Sequence, residues 1–223
     1  MSNYLFLSHI LNMSTPSYGN RDRIEIFTNT AISNGKTANT SVFNLSNNHI
    51  GTHIDVPRHF SDSGKRTYDY PIKDYVFKTP VLVDIPCLGD ELLGADDFVK
   101  LEIISDVDIL LIRTGFENFR GDDVYWKSNP GLAPELADWL RAKFPHLRCV
   151  GFDFISVTSW THRDLGKSAH QNFLTPFDGK REIWIIEDMA LKAIKTTLVE
   201  VIVAPIFMEG GNGGTVSVIA KVK

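Results

Sequence analysis

The segment from His49 to His59 constrains the fold of this chain more than any other feature of the sequence. It reads His-Ile-Gly-Thr-His-Ile-Asp-Val-Pro-Arg-His and places three histidines and one aspartate at odd-numbered positions. In an extended backbone these four side chains leave the same face. His53 and Asp55 would lie roughly 6–7 Å apart along a strand, whereas His49 and His53 would be about 13 Å apart. One ion can reach both histidines only if the backbone bends between them, and Gly51 is the residue that permits a bend.

A helix is the competing conformation, because residues four apart share a helical face, as the paired histidines of zinc-protease helices do. A glycine, three β-branched residues and a proline argue against a helix, namely Gly51, Thr52, Ile54, Val56 and Pro57. The four residues could also be ordinary polar side chains on an exposed strand. Imidazole and carboxylate groups are ligands for zinc and manganese, however, and such clusters seldom serve another purpose. The segment therefore predicts a metal site.

Ligands from one short segment leave a coordination sphere incomplete, so a distant part of the chain should supply more. His170 follows a polar loop over residues 161–168 and is one candidate. Glu187 ends an apolar run, where a buried carboxylate would be costly without a cation or hydrogen-bond donors. Asp188 alternates to the opposite face. Either carboxylate could simply cap a helix; we predict Asp188 as the cap and Glu187 as the ligand.

The hydrophobic pattern predicts a β-rich α/β fold. Nine strands are predicted, and several are continuous apolar runs typical of strands covered on both faces: Tyr4–Ser8, Arg23–Phe27, Ser41–Leu45, Pro80–Ile85, Asp108–Arg113, Arg148–Phe154, Glu182–Glu187, Leu198–Ala204 and Thr215–Lys221. Helices are predicted over Ala133–Phe144, Asp96–Leu101 and Asp188–Ile194. Strand and helix do not alternate regularly enough for a doubly wound sheet. No linker or repeat divides the sequence, so we predict a single domain over residues 1–223.

Composition excludes several classes of partner. The net charge of −4 offers no basic surface for nucleic acid. No apolar run approaches the ~20 residues of a membrane span, and the N-terminus lacks the basic region of a signal peptide. Cys87 and Cys149 are too far apart in sequence to form a ligand pair, so free buried thiols in a reducing cytoplasm are expected.

The pattern His-x-Gly-Thr-His-x-Asp-x-Pro-x-His-Phe, from His49 to Phe60, resembles the hallmark of the cyclase-like metal-dependent hydrolases, among them the bacterial kynurenine formamidases. Shorter matches follow in the family's order: Leu7-Ser8-His9, Arg113-Thr114-Gly115, Pro130-Gly131-Leu132, Gly151-Phe152-Asp153 with Ser156, His170, and Ile185-Ile186-Glu187-Asp188. The resemblance implies a layered β/β/α swivelling domain that assembles as a homodimer or homotetramer. It also implies two zinc ions. One would be held by His49, His53 and Asp55, with Asp55 bridging to a second held by His170 and Glu187, and His59 would be the catalytic histidine.

Three features depart from the family pattern. The N-terminal loop reads Pro16-Ser17-Tyr18-Gly19-Asn20 where many members have Pro-Gly-Asp, often beside an aromatic residue that contacts substrate. An aromatic wall could be formed by Phe60, Tyr18, Phe116, Tyr125 and Trp126, although most aromatic residues of such a chain belong to the core. The interval between His170 and Glu187 is longer than in formamidases. The C-terminal Gly-Ser-Pro-Val-Arg of the family is replaced by Gly214-Thr-Val-Ser-Val218, which lacks the arginine. These departures bear on the substrate rather than on the metal site.

A His/Asp/Glu site without cysteine tends to keep an open coordination position, where a divalent ion lowers the pKa of water toward ~7. We therefore predict a hydrolase that cleaves a small amide, formamide or cyclic amide such as isatin, with His59 as general acid and base. His59 could instead be a further ligand or orient one. The alternative functions are a biosynthetic cyclase or dehydratase and a metal-stabilised binding protein without turnover. Zinc is the expected metal, with manganese, iron or cobalt as alternatives and one or two ions per chain.

Overall fold

In a computed structural model of the chain, residues 3–175 and 179–223 are described. The strands are β1 (Tyr4–Phe6), β2 (Ile24–Thr30), β3 (Thr40–Leu45), β4 (His53–Asp55), β5 (Val76–Phe77), β6 (Pro80–Asp84), β7 (Leu92–Leu93), β8 (Ile109–Arg113), β9 (Gly131–Leu132), β10 (Cys149–Phe152), β11 (Trp184–Glu187), β12 (Leu198–Pro205) and β13 (Gly213–Val222). The helices are α1 (Ala95–Phe98), α2 (Val124–Lys127), α3 (Leu136–Lys143) and α4 (Arg163–Leu174).

The main sheet has a parallel half and an antiparallel half. Its strand order is β5-β12-β13-β4-β11-β10-β8-β6, with β1 also paired to β13. Strands β6, β8, β10 and β11 are parallel neighbours, whereas β4 runs antiparallel to both β11 and β13. The two strands at the ends of this order, β5 and β6, are separated by only two residues in sequence, which brings the edges together and nearly closes the sheet.

Three of the parallel strands, β8, β10 and β11, are buried on both faces, as their continuous apolar runs predict, whereas the edge strand β6 is half-buried. Along β8, Leu110 and Ile112 pack into one cluster with the buried residues of α3 and α4. Ile109 and Leu111 point the other way, into a second cluster that the curved sheet encloses with β12 and β13. Three layers therefore follow one another: the helices α3 and α4, the parallel strands of the sheet, and the antiparallel strands β12 and β13 that curve over the other face. The predicted β-rich α/β class is confirmed.

All nine predicted strands are present, and their ends differ by at most three residues from those observed. The predicted helix at 133–144 is confirmed as α3, and the one at 96–101 appears as the single turn α1.

Two local predictions are wrong. The predicted helix Asp188–Ile194 is absent, because Asp188 has a left-handed φ of 52° and Met189 pairs with Ser8 as an isolated bridge. The polar loop predicted over residues 161–168 lies mostly in α4. Within the described residues, no helix is long and apolar enough to cross a membrane.

Candidate metal centre

Strand β4 holds the middle of the predicted metal segment at the seam between the two halves of the sheet. His53 lies directly opposite Glu187 of β11 on one side and Thr215 of β13 on the other. Cross-strand partners point their side chains to the same face, so His53 and Glu187 converge. His49 precedes this strand, and Gly51 between them has a φ of +69°. The predicted bend at Gly51 is therefore confirmed.

Asp55 is the most enclosed polar group of the cluster and touches histidines through both oxygens. Its Oδ1 lies 2.7 Å from His49 Nδ1 and 3.7 Å from His53 Nε2. Its Oδ2 lies 3.6 Å from His170 Nε2 and is buried without a hydrogen-bond partner among the described residues. Burial acts to raise the pKa of this carboxyl, but the positive charge of nearby histidines, led by His59 and His49, holds it well below its usual range.

Glu187 faces the same cavity from the end of β11. Its Oε2 lies 3.3 Å from His53 Nε2, and its Oε1 lies 3.6 Å from His170 Nε2. Oε1 also accepts hydrogen bonds from the Val157 backbone N–H at 2.7 Å and from the Ser156 hydroxyl at 3.2 Å. Burial acts to raise the pKa of Glu187, but its contacts with His170 and His53 lower it. The residue predicted as a distant ligand therefore carries its charge inside the protein.

Backbone carbonyls orient two of the imidazoles. His53 Nδ1 lies 2.8 Å from the Gly51 carbonyl oxygen, and His170 Nδ1 lies 2.8 Å from the carbonyl of Gly166, one turn earlier in α4. Nδ1 must donate to a carbonyl, so in both rings Nε2 is turned toward the carboxylates, the orientation found in metal-binding histidines. Burial acts to lower the pKa of His53, but its hydrogen bond to Glu187 and the charge of Asp55 raise it to about 9.

His59 lies in the short turn Pro57–His59 that follows β4. Its ring stacks on His49 with centroids 3.9 Å apart and lies 6.0 Å from the ring of His170. Among the described residues, neither ring nitrogen of His59 has a hydrogen-bond partner, which distinguishes it from His49, His53 and His170. Burial lowers the pKa of His59 to about 4. The negative charge of Asp55 acts to raise this pKa, but the positive charges of His49 and His170 act against it.

The residues fit a divalent cation. Two sets of potential ligand atoms each lie within 4.8 Å of one another, His49 with Asp55 and His59, and His53 with Asp55 and Glu187. Two carboxylates are buried at 1% and 4% exposure in one place, and the unpaired Asp55 oxygen lacks the donor that a buried anion requires. All six residues singled out in the sequence lie in one cavity of about 540 Å³. A larger cavity, of about 980 Å³ and lined by Arg113 and Thr114, contains none of these six.

Asp188 has a different role from the predicted helix cap. Arg120 donates to its two carboxylate oxygens at 2.8 and 2.7 Å, and the Tyr125 hydroxyl donates at 2.6 Å. Its backbone carbonyl accepts a hydrogen bond of 2.5 Å from the Thr52 hydroxyl, next to His53. The prediction that Asp188 caps a helix was wrong. Its carboxylate is hydrogen-bonded to Arg120 and Tyr125, which are distant in sequence, and no helix follows it.

Asn212 is a site residue that the sequence reasoning missed. Its Oδ1 lies 3.0 Å from His49 Nε2 and accepts a hydrogen bond of 2.7 Å from the Asn48 amide. The sequence signal that could have indicated Asn212 is its place in the glycine-rich run Glu209–Gly214, because glycines let a backbone approach a neighbouring strand closely. A Cβ at Gly213 would lie 2.4 Å from the Ile54 carbonyl oxygen.

Comparison with known proteins places this geometry in a family. The Cyclase family model matches residues 5–159. The kynurenine formamidase of Bacillus thuringiensis subsp. konkukian is 30% identical over 175 residues, covering 78% of this chain and 76% of that relative. Isatin hydrolase A from Ralstonia solanacearum superposes with a TM-score of 0.76 at 20% identity, covering 99% of this chain and 92% of that chain.

A structure described as a potential metal-dependent hydrolase with cyclase activity superposes with a TM-score of 0.68 at 21% identity, covering 97% of this chain and 96% of that chain. At such identities the structural matches show the fold alone. The family model spans more than half of the chain, and the chain therefore belongs to the cyclase family.

Proposed function

We propose that this protein is a metal-dependent hydrolase that cleaves the C–N bond of a small amide, with aryl formamides and isatin-type cyclic amides as the substrate classes to test first. The observation that carries the proposal is the pair of buried carboxylates among four histidines, with one oxygen of Asp55 left unpaired. The names of its relatives, a kynurenine formamidase and an isatin hydrolase, support the same class of reaction.

The proposed ligands are His49, His53, Asp55, His170 and Glu187, and the proposed metal is zinc, with manganese as the alternative. Asp55 faces His49 and His53 through one oxygen and His170 through the other, so its carboxylate can serve one ion or bridge two. A divalent ion held there would polarise a substrate carbonyl and supply hydroxide near neutral pH. The carbonyls of Gly51 and Gly166 keep the histidines oriented toward such an ion.

His59 is the proposed general acid and base. Its ring nitrogens are unpaired within the described part of the chain and its side chain lines the cavity, so an imidazole nitrogen can accept a proton from water there. The same nitrogen can then deliver that proton to the leaving nitrogen of the amide. The ring of Phe60 packs against both histidines, stacking on His170 with centroids 4.5 Å apart and meeting His59 edge-on at 4.7 Å.

The test combines elemental analysis with turnover of N-formylkynurenine, isatin and simple aryl formamides, using mass spectrometry to detect addition of water. Asp55→Asn should lose both metal and turnover, whereas His59→Ala should retain metal and lose turnover. His146→Ala, at an exposed position outside the cavity, is the matched control and should change neither. A metal-loaded protein that hydrolyses none of these bonds would refute the proposal. If His59→Ala also loses metal, His59 is a ligand.

We further propose a cytoplasmic homodimer or homotetramer that acts on a small molecule and binds neither nucleic acid nor membrane. The net charge of −4 supports the absence of a nucleic-acid partner, and the two free cysteine thiols support a reducing compartment. The oligomer is proposed from the resemblance to the family. Light scattering of the purified protein would contradict it by giving the mass of a monomer, 25.1 kDa.

A further inference from the structure

Trp160 organises a group of side chains beside the proposed metal centre. The guanidinium carbons of Arg163 and Arg21 lie 4.8 Å and 5.7 Å from the centroid of its ring, and the ring of Tyr18 lies 5.2 Å away. The loop carrying Tyr18 approaches it closely, since a Cβ at Gly19 would be only 2.4 Å from Trp160 Cζ3. Tyr18 and Arg21 also line the cavity that contains the metal centre. The group therefore stands at the edge of the proposed active site.

The two arginines of this group have no anionic partner. The sequence contains ten arginines, and within residues 3–175 and 179–223 only the side chains of Arg21 and Arg163 form neither a hydrogen bond nor an ion pair. Arg120, by contrast, binds Asp188 through two hydrogen bonds, and even the exposed Arg66 pairs with Asp69. Guanidinium groups match carboxylates in a planar, bidentate geometry. Stacking on Trp160 restricts both side chains without using their donors.

Tyr18 supplies a third unused donor, deeper in the cavity. Its hydroxyl is buried and has no hydrogen-bond partner among the described residues. The pKa of the Tyr18 hydroxyl is raised above its ordinary value, mainly because the group is buried. The charges of Arg163 and Arg21 act to lower this pKa, and the charge of Glu187 acts to raise it. The hydroxyl thus lies within electrostatic reach of both arginines and of the metal-centre carboxylate. A buried hydroxyl without a partner is costly, and a bound acceptor would remove that cost.

We infer that Arg21, Arg163 and Tyr18 bind a carboxylate of the substrate while its amide lies at the metal centre. The inference rests on the proposed function and narrows it to amides that carry an acidic group. The two guanidiniums give positive charge at the edge of the cavity, and the Tyr18 hydroxyl donates to the same group or to its ring substituent. The rings of Tyr18 and Phe60 both line this cavity and favour an aromatic ring between the carboxylate and the scissile amide.

The experiment compares 4-formamidobenzoate with its neutral isostere 4-formamidobenzamide on the metal-loaded protein. We expect a higher kcat/KM for the carboxylate, and Arg21→Gln or Arg163→Gln should each reduce the ratio of the two kcat/KM values about tenfold, through KM. Raising the ionic strength should reduce the ratio in the wild type, since the arginines are exposed. Arg66→Gln removes an arginine outside the cavity and should leave the ratio unchanged.

Calorimetric binding of the two compounds separates failure of this inference from failure of the proposed function. Hydrolysis of both compounds at equal efficiency, unaffected by either arginine substitution, overturns the inference and leaves the hydrolase standing. Arg-dependent preference for the carboxylate in binding, without hydrolysis of either compound, supports the inference and counts against simple aryl formamides as substrates of the proposed hydrolase. If neither compound binds nor reacts, the inference is overturned.

Discussion

Replacing Arg120 with methionine should destabilise the protein strongly, because it leaves a buried carboxylate without its main partner. The Asp188 side chain is 2% exposed and that of Arg120 is 17% exposed, and two hydrogen bonds of 2.8 and 2.7 Å join them. Among the described residues, the Tyr125 hydroxyl, at 2.6 Å, is then the one remaining hydrogen-bond donor to this carboxylate, while His9 Nε2 lies 4.0 Å away. Asp188 also holds a left-handed φ of 52°, which its surroundings must maintain.

Removing one partner of a buried ion pair typically costs about 3–5 kcal/mol, because the remaining charge stays out of water. For a chain of 223 residues, this corresponds to a fall in Tm of about 6–20 °C. Urea unfolding of Arg120→Met would measure the free energy, and thermal unfolding the Tm. Adding Asp188→Asn removes the stranded charge, so the double variant should be more stable than Arg120→Met alone.

The matched control is Lys127→Met, which breaks an ion pair whose side chains are 58% and 69% exposed. It should cost less than about 1 kcal/mol. If Arg120→Met costs no more than this control, or if Asp188→Asn fails to offset its effect, the reasoning about the buried charge is wrong.

Three further predictions concern groups around the site and in the core. In protein stripped of metal by a chelator, His53 has a pKa of about 9 against an ordinary 6.5, because nearby carboxylates outweigh its burial. The resulting stability, about 3 kcal/mol, is present below pH 6.5 and should be lost as the pH rises through 9, as urea unfolding at pH 7 and pH 10 would show. Burial raises the pKa of the Cys149 thiol and raises that of Cys87 to about 12, so neither should react with Ellman's reagent at pH 8 until urea is added. Gly51→Ala should lose about 2 kcal/mol in urea unfolding and more than Gly35→Ala, which has a similar φ but open space around it.

Alternation and the Gly51 bend are local properties, so the sequence alone could predict that the histidines and the aspartate of the 49–59 segment lie together in one cavity. Their role as metal ligands stays a prediction, and Asn212 was not predicted. Alternation also placed Glu187 on one face and Asp188 on the other, and Glu187 does meet His53 and His170. The role of Asp188 could not be predicted, since Arg120 lies 68 residues away and no local pattern encodes that pairing. The single domain over residues 1–223 stays a prediction.

Helix α4 shows a second limit of local patterns. Its first turns are polar and contain Gly166, which disfavours a helix in isolation. In the folded chain a Cβ at Gly166 would lie 2.2 Å from Thr158 Oγ1, so the glycine permits a close approach of the helix to the preceding loop. Burial of Ala169, Phe173 and Leu174 against the sheet then stabilises the helix. Tertiary packing, rather than propensity, brings His170 to the carboxylates.

The position of the centre follows from the way β4 joins two kinds of sheet. On the parallel side, Glu187 is the last residue of β11. The loop that follows β10 carries Val157, whose backbone N–H donates a hydrogen bond to the Glu187 carboxylate. On the antiparallel side, β13 fixes the register of His53 and Asp55 by pairing them with Thr215 and Gly213. A slip of one residue in β4 would turn buried Ile54 into the cavity and both His53 and Asp55 into the core, so the observed register is required for the candidate centre to form.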